Sequence, residues 1–105
     1  MDVFLKFIIE TDDEYGDCLI IARCTYHKEL ATDITKVKGG GIWFLKDNTF
    51  ILSGSSQDFG KADFEIIKSC VEKGNVFSNS SLSFPMTDKH DFSYDTGSEI
   101  IKISK

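Results

Sequence analysis

The feature that most constrains the fold is a short β-hairpin in the middle of the chain. Aromatic and β-branched residues fill positions 42–45 and 49–52, and the segment Lys46-Asp47-Asn48 separates the two runs. Asp and Asn tolerate the left-handed backbone of tight hairpin turns, so the two runs are expected to pair as antiparallel strands. The middle of the chain is therefore predicted to belong to a β-sheet.

Two further runs near the N-terminus are typical of strands. Residues 3–9 are apolar except for Lys6, and an acidic turn at residues 11–14 follows them. Residues 18–22 are nearly all apolar, which favours a central strand that is covered on both faces. We expect these two strands to pair with each other.

One segment has the periodicity of a well-marked helix. Its apolar residues recur at three- or four-residue spacing along two adjacent lines, Ala62, Ile66, Cys70 and Phe64, Ile67, Val71. Gly74 is expected to end this helix. Because a single strong helix cannot cover a core without a sheet, the sequence predicts one α/β (α+β) domain over residues 1–105, a mixed β-sheet with a hairpin and one main helix packed on it.

Three segments are less regular. Residues 26–38 combine helical spacing of apolar side chains with threonines that favour extended structure, so either a short helix or an irregular segment is expected. The serine-rich residues 78–83 and Pro85 indicate an irregular or edge segment. Residues 99–103 are predicted to form the last strand.

Charge and composition exclude several classes of protein. The net charge is -5 and the sequence pI about 4.9, so the chain lacks the basic surface that nucleic-acid binding requires. No stretch reaches the ~18 apolar residues of a membrane-spanning helix, and no basic region precedes the first apolar run. Cys18, Cys24 and Cys70 are an odd number of cysteines without an export signal, which favours reduced thiols. We therefore expect a cytoplasmic protein that binds neither nucleic acid nor membranes.

Two glycine-rich segments flank the hairpin. Gly39, Gly40 and Gly41 form either a flexible link into the next strand or a place where the backbone approaches another group closely. The loop from Gly54 to Gly60 joins a strand end to a helix start, where backbone N–H groups and the helix dipole favour an anion.

The Gly54–Gly60 loop has competing interpretations. It does not match the phosphate loop of nucleotide hydrolases, because Gly60-Lys61 is followed by Ala62 rather than Ser or Thr. Asp58 lies close enough in sequence to cap the following helix, and its negative charge would oppose a phosphate bound in the loop. The loop is therefore either an anion site or an ordinary connection with a capping residue.

His27 is the better catalytic candidate of the two histidines. It follows a predicted buried strand, and imidazole can act as base, acid or nucleophile near neutral pH. A structural histidine bound by hydrogen bonds is the alternative, and His90 is expected to be solvated. Cys24 and His27 have a spacing that can chelate a metal, but no second Cys or His pair completes a tetrahedral set. No metal and no cofactor are therefore predicted.

Four landmarks occur in one order along residues 3–73. They are Phe4-Leu5-Lys6-Phe7, Tyr26-His27, Gly39-Gly40-Gly41 and the Gly-Ser-Ser-Gln-Asp-Phe-Gly loop. In this order they resemble the protein histidine phosphatase (Janus) family, and the resemblance implies a similar mixed-sheet fold. It further implies a catalytic role for His27, with phosphate held by Lys6, Ser56, Gln57, Asp58, Phe59 and Gly60. Asp58 stands where the family has a small residue.

The resemblance implies a hydrolase. The first hypothesis is a metal-independent phosphatase of phosphohistidine or a related phosphoramidate, with His27 as base or nucleophile. Its partner would be a phosphorylated protein or a small phosphorylated substrate. The second hypothesis is a non-catalytic module that binds an anion or a protein through the same glycine-rich loops. The sequence leaves the oligomeric state open.

Overall fold

A computed structural model describes residues 4–78 and 90–104, which form a single seven-stranded sheet with one α-helix. The helix α1 spans Phe64–Lys73. Single-turn 3-10 helices lie at His27–Glu29 and Ile34–Lys36. The strands are β1 Phe4–Asp12, β2 Gly16–Cys24, β3 Val37–Lys46, β4 Thr49–Ser53, β5 Val76–Ser78, β6 Asp91–Asp95 and β7 Ile100–Ile103.

The strand order across the sheet is β5-β2-β1-β3-β4-β6-β7. The pairs β2–β5 and β4–β6 are parallel, and all other neighbouring pairs are antiparallel. The sheet is therefore mixed, and the predicted α+β class with one main helix is confirmed. The predicted pairing of β1 with β2 and the inner position of β2 are confirmed as well.

The central hairpin forms as predicted, with a tighter turn. Lys46 pairs with Thr49, so the turn consists of two residues rather than three. Asp47 and Asn48 have φ angles of 50° and 66°, the left-handed conformation that two-residue hairpin turns require. The first strand also runs further than expected, because Asp12 pairs with Gly16 and the acidic turn begins only after it.

Helix α1 begins later than the apolar periodicity indicates. The carboxylate of Asp63 accepts a hydrogen bond of 2.8 Å from the backbone N–H of Glu65 and caps the helix. The predictions that Asp58 caps the helix and that Ala62 lies within it are therefore wrong. Ala62 is still buried, because the chain before the helix runs along β3. Gly74 ends the helix at φ 75°, as predicted.

The sheet has two apolar clusters of unequal size, one on each face. The larger cluster lies under α1 and contains Phe7, Ile9, Leu19, Ile21, Trp43, Phe50, Leu52, Ala62, Ile67, Cys70, Val71, Phe92, Tyr94 and Ile103. The smaller cluster contains Ile8, Ala22, Cys24 and Leu30, and it lies where residues 27–37 cross the opposite face. We call these the helix face and the opposite face.

The C-terminal third differs most from the sequence-based expectation. The short strands β5 and β6 are not in the prediction, and β7 begins at Ile100 rather than at residue 99. His90 is buried, with its ring centroid 4.4 Å from that of Phe50, so the expectation that it is solvated is wrong. Of the serine-rich segment and Pro85, only Ser78 lies within the described residues. No helix in the described ranges is long and apolar enough to cross a membrane.

Candidate functional site

The triple glycine lies inside strand β3 rather than in a link before it. Gly40 pairs with Ile8 and Gly41 with Phe7, so the flexible-link interpretation is wrong. A Cβ atom on Gly40 would lie 2.5 Å from the Phe7 carbonyl oxygen and 3.0 Å from Cδ2 of His27. Only glycine leaves room for the histidine ring at this position.

Gly39 allows a second chain segment to approach the backbone of the same strand closely. A Cβ atom there would lie 2.8 Å from the Cα atom of Ala62, on the segment that leaves the Ser56–Gly60 loop. The N–H of Gly40 donates a 3.0 Å hydrogen bond to the carbonyl of Gly60. The glycines of β3 therefore fix both the His27 ring and the end of the loop against one strand.

His27 is held by the first 3-10 turn and by β3. Its side chain is 5% exposed, and its Nε2 atom lies 2.8 Å from the carbonyl oxygen of Gly41. A carbonyl oxygen can only accept, so Nε2 carries the proton in this hydrogen bond and the lone pair of the neutral ring is on Nδ1. Nδ1 is therefore the atom that is free to take a proton or to attack.

Burial controls the charge of His27. Removal from water lowers the pKa of His27 below the ordinary histidine value, and this is the largest effect on it. The Gly41 carbonyl opposes the shift, the ammonium of Lys6 adds to it, and the carboxylate of Asp58 opposes it. The imidazole is therefore neutral at neutral pH, as a base or nucleophile must be.

Lys6 lies on the same face of the sheet as His27. It pairs with Ala22 on one side and with Ile42 on the other, and alternation along β1 puts it on the face of Ile8. Its side chain is half-buried, and its charge acts on both the His27 ring and the Cys24 thiol. The predicted cation and the predicted histidine are therefore neighbours.

The loop from Ser56 to Gly60 is closed by its own backbone. Ser56 and Gly60 exchange two hydrogen bonds of 3.0 and 2.9 Å, and the Ser56 hydroxyl accepts a 3.2 Å hydrogen bond from the N–H of Phe59. Ser56 is 4% exposed. Its side chain therefore shapes the loop, and its role in holding phosphate stays a prediction.

Gln57 and Asp58 form the exposed tip of this loop. Within residues 4–78 and 90–104 their backbone N–H groups donate no hydrogen bond, and successive free amides in a turn are the feature that binds anions. Phe59 is half-buried and packs against the cluster of the opposite face. The loop therefore lies on the face of Lys6 and His27, but the helix begins too late to contribute its dipole there.

Two exposed apolar side chains beside Lys6 are absent from the predicted site. Ile42 and Phe44 are 44% and 40% exposed, and they share the face of Lys6 because side chains alternate along β3. The sequence shows that Ile42 and Phe44 lie on the same side of the strand, because side chains alternate along residues 42–45. It does not show which side of the sheet is exposed to solvent.

Cys24 is buried near His27 and is not suited to metal binding. Burial, with a smaller contribution from Glu29, raises the pKa of its thiol to about 11, so the thiolate that binds metals is not populated at neutral pH. Among the described residues, no group of three or more His, Cys, Asp or Glu side chains is arranged to hold a metal ion.

The structure thus brings His27, Lys6, Gly40 and the Ser56–Gly60 loop to one place on the opposite face. Comparison of the chain with models of protein families found no match, and comparisons with curated proteins and with solved structures found none either.

Proposed function

We propose that this protein is a metal-independent phosphatase that acts on phosphohistidine or a related phosphoramidate. The observation that carries the proposal is the convergence of three groups on the opposite face. The neutral ring of His27, the ammonium of Lys6 and the exposed amides of Gln57 and Asp58 lie on the face of one strand pair. A titratable group beside a cation and an anion-binding turn is the set that metal-free phosphoryl transfer uses.

The hydrolytic step can be written with these groups. In the general-base route, Nδ1 of His27 takes a proton from water while the water oxygen bonds to phosphorus. The P–N bond breaks, its electron pair stays on the leaving nitrogen, and the proton on His27 passes to that nitrogen. Lys6 and the loop amides balance the negative charge of the phosphoryl oxygens. In the nucleophilic route, Nδ1 bonds to phosphorus as the substrate P–N bond breaks, and the leaving nitrogen keeps the electron pair and takes a proton from solvent. Water then attacks phosphorus, the P–Nδ1 bond breaks with its electron pair returning to Nδ1, and inorganic phosphate is released.

Asp58 sets the conditions under which the site binds phosphate. Its carboxylate is exposed, and its effect on the pKa of His27 is smaller than that of burial. Removal of this charge by Asp58→Asn should strengthen phosphate binding, since a like charge next to a bound anion opposes it. The family resemblance points to the same residue, because a small side chain stands there in the family.

The test is the hydrolysis of a phosphohistidine peptide in the presence of a metal chelator. The decisive variant is His27→Gln, because a glutamine amide can still donate to the Gly41 carbonyl but cannot accept a proton near neutral pH. The wild-type chain should release phosphate, and the variant should lose about 100-fold or more of that rate. His90→Gln changes the other histidine, lies outside the site and should retain the rate.

Two results would overturn the proposal. One is a folded wild-type protein that releases no phosphate, and the other is a folded His27→Gln variant with an unchanged rate. Replacement of His27 by Ala gives a second test, and it differs from the first because Ala also removes the donor to Gly41. Circular dichroism of each variant separates loss of chemistry from loss of fold.

A non-catalytic binding module is the second candidate function. The burial of His27 favours it, because a side chain that is 5% exposed is less accessible to a substrate than a surface histidine. The exposed Ile42 and Phe44 beside Lys6 would then contact a protein partner. In that case a stable phosphohistidine analogue should bind to the wild-type chain without turnover, and Lys6→Gln should weaken its binding.

A further inference from the structure

A cavity of about 360 Å³ lies at the other end of strands β1 and β2, away from Lys6. Glu10, Ile20 and Leu30 line it, and Tyr15 and Phe77 stand at its edge. This volume is within the range of small-ligand sites. The cavity shares no lining residue with the proposed phosphatase site, and it requires a separate explanation.

The main polar group in the cavity is the carboxylate of Glu10. Glu10 is 7% exposed, and one of its oxygens accepts a 2.8 Å hydrogen bond from the N–H of Thr32, which also lines the cavity. In the described part of the chain, this is the only hydrogen bond to that carboxylate. A buried carboxylate whose second oxygen accepts no hydrogen bond from the described residues favours a cationic ligand.

Aromatic rings complete this environment. The ring centroids of Tyr15 and Phe77 are 6.3 Å apart, and the side chains are 59% and 43% exposed. Aromatic faces attract cations and also pack against a methylene chain. Asp12 adds a second carboxylate to the lining, but it is exposed and one of its oxygens accepts from the N–H groups of Glu14 and Tyr15. Glu10 is therefore the carboxylate of the cavity interior, and apolar side chains form much of its walls.

The thiol of Cys18 does not change this charge balance. It is 5% exposed and lines the cavity. Burial raises the pKa of Cys18, and the carboxylates of Asp12, Asp17 and Glu10 raise it further, so the thiol stays neutral. The local field that acts on it is that of carboxylates.

We propose that this cavity binds a primary alkylammonium group, either that of a free amine or that at the end of a lysine side chain. The ammonium would donate to the remaining oxygen of Glu10, and the alkyl chain would pack along the neighbouring rings of Tyr15 and Phe77. A guanidinium fits less well, because its paired donors would have to share one carboxylate oxygen with the N–H of Thr32, whereas an ammonium needs only the other oxygen. The inference does not depend on the phosphatase proposal.

The experiment is a ¹H–¹⁵N NMR titration of the whole chain at constant ionic strength with n-pentylammonium chloride. Saturable shifts are expected at the amides of Thr32 and Phe77. Neutral 1-pentanol should bind at least about tenfold more weakly, because it has the same chain without the charge. Equal binding of pentanol, or no saturable shift with pentylammonium, would overturn the proposal.

Charge-matched variants test the role of the buried carboxylate. Glu10→Gln should weaken pentylammonium binding at least about tenfold, whereas Glu14→Gln removes an exposed carboxylate outside the cavity lining and should have little effect. Unchanged binding by Glu10→Gln, or an equal loss in Glu14→Gln, would overturn the proposal.

A third variant covers the case in which Glu10→Gln does not fold. Phe77→Ala changes a partly exposed side chain on an edge strand and should weaken binding several-fold. Unchanged affinity in this variant would also overturn the proposal.

Titration with Nα-acetyl-lysine methylamide then distinguishes the two sources of the ammonium group, a free amine and a lysine side chain. Binding comparable with that of pentylammonium indicates lysine side chains, and much weaker binding indicates free amines.

Discussion

The two faces of the sheet differ in what covers them. On the helix face, Trp43 and Phe50 pack edge to face at 5.0 Å between ring centroids, within one continuous cluster under α1. On the opposite face, the cluster around Ile8 and Leu30 is small, and among residues 4–78 and 90–104 it contains no aromatic side chain that is fully buried. In the part of the chain that the structure describes, two single 3-10 turns lie against this face.

The large apolar core and two of the buried polar side chains therefore lie on different faces of the sheet. The buried imidazole of His27 and the buried carboxylate of Glu10 both lie with the small cluster, one toward each end of β1. The partners of these two groups are backbone atoms outside any helix, the carbonyl of Gly41 in strand β3 and the N–H of Thr32 between the two 3-10 turns, whereas a packed helix uses most of its own backbone groups. We infer that the helix face supplies most of the folding free energy, and the groups of both proposed sites lie on the opposite face.

The largest expected effect tests this division directly. Phe50→Ala should lower the free energy of unfolding by about 3–5 kcal/mol, and Leu30→Ala by about 2 kcal/mol, because the smaller cluster loses fewer contacts. Urea unfolding measures both. Ile34→Ala, on a 58% exposed side chain, should change stability by less than about 0.5 kcal/mol. Equal losses at Phe50 and Leu30 would contradict the comparison.

The next effect concerns the strand that both the histidine and the loop contact. Gly40→Ala should cost about 1–3 kcal/mol, because the new methyl group meets the Phe7 carbonyl and the His27 ring. Gly16→Ala is the control, since nothing lies within 4 Å of its added Cβ and its φ of +79° alone costs about 1 kcal/mol. In Gly40→Ala the NMR signals of the His27 ring should shift. An unshifted ring would mean that Gly40 does not position it.

A smaller effect compares the helical caps of the two faces. Asp63→Ala should cost about 1 kcal/mol, because it removes the hydrogen bond to the N–H of Glu65 at the start of α1. Asp33→Ala removes a similar bond of 3.0 Å to the N–H of Thr35. It should cost less, since the turn that it caps has three residues. Thermal unfolding of the two variants gives the order, and the reverse order would contradict this account.

The smallest expected effect is a change in the pH dependence of stability. The pKa of His27 is lower in the folded chain than in the unfolded chain, chiefly because of burial. As the pH falls, the histidine of the unfolded chain therefore takes up its proton before that of the folded chain. The neutral His27 stabilises the fold fully above the unfolded histidine pKa of ~6.5, and this stabilisation is lost as the pH falls below that value. His27→Gln should flatten the stability curve in this window. A curve parallel to that of the wild type would show that His27 is not the responsible group.

Local sequence patterns predicted the elements whose residues lie close together along the chain. The hairpin follows from apolar runs on either side of Asp47 and Asn48, and the end of the helix follows from Gly74. The short strands β5 and β6 were missed because each pairs in parallel with a strand that is distant in the sequence. The burial of His90 was missed for the same reason, since its contact with Phe50 joins distant segments.

The candidate site also has features that the sequence predicted and features that it did not. The sequence supplied His27 and the Gly54–Gly60 loop through their own chemistry and position, and Lys6 through the family resemblance, but it indicated no contact between them. Nothing local indicates that the hydroxyl of Ser56 turns into its own loop or that Asp63 rather than Asp58 caps α1. The bridge between Gly40 and Lys61 keeps the chain extended there, and the helix begins only after it, at Phe64.

The sequence by itself determined the mixed composition of strands and helix, the position of the tight turn and the end of the helix, because backbone conformation and apolar periodicity are local properties. The need for glycine at residues 39–41 was decided by the tertiary structure, since distant segments approach these residues closely. The tertiary structure decided which face of the sheet is thickly covered, where His27 and Glu10 are buried and how the charge of His27 responds to that burial. Alternation along a strand creates two faces, but only the packing of distant segments decides which one is covered by a helix.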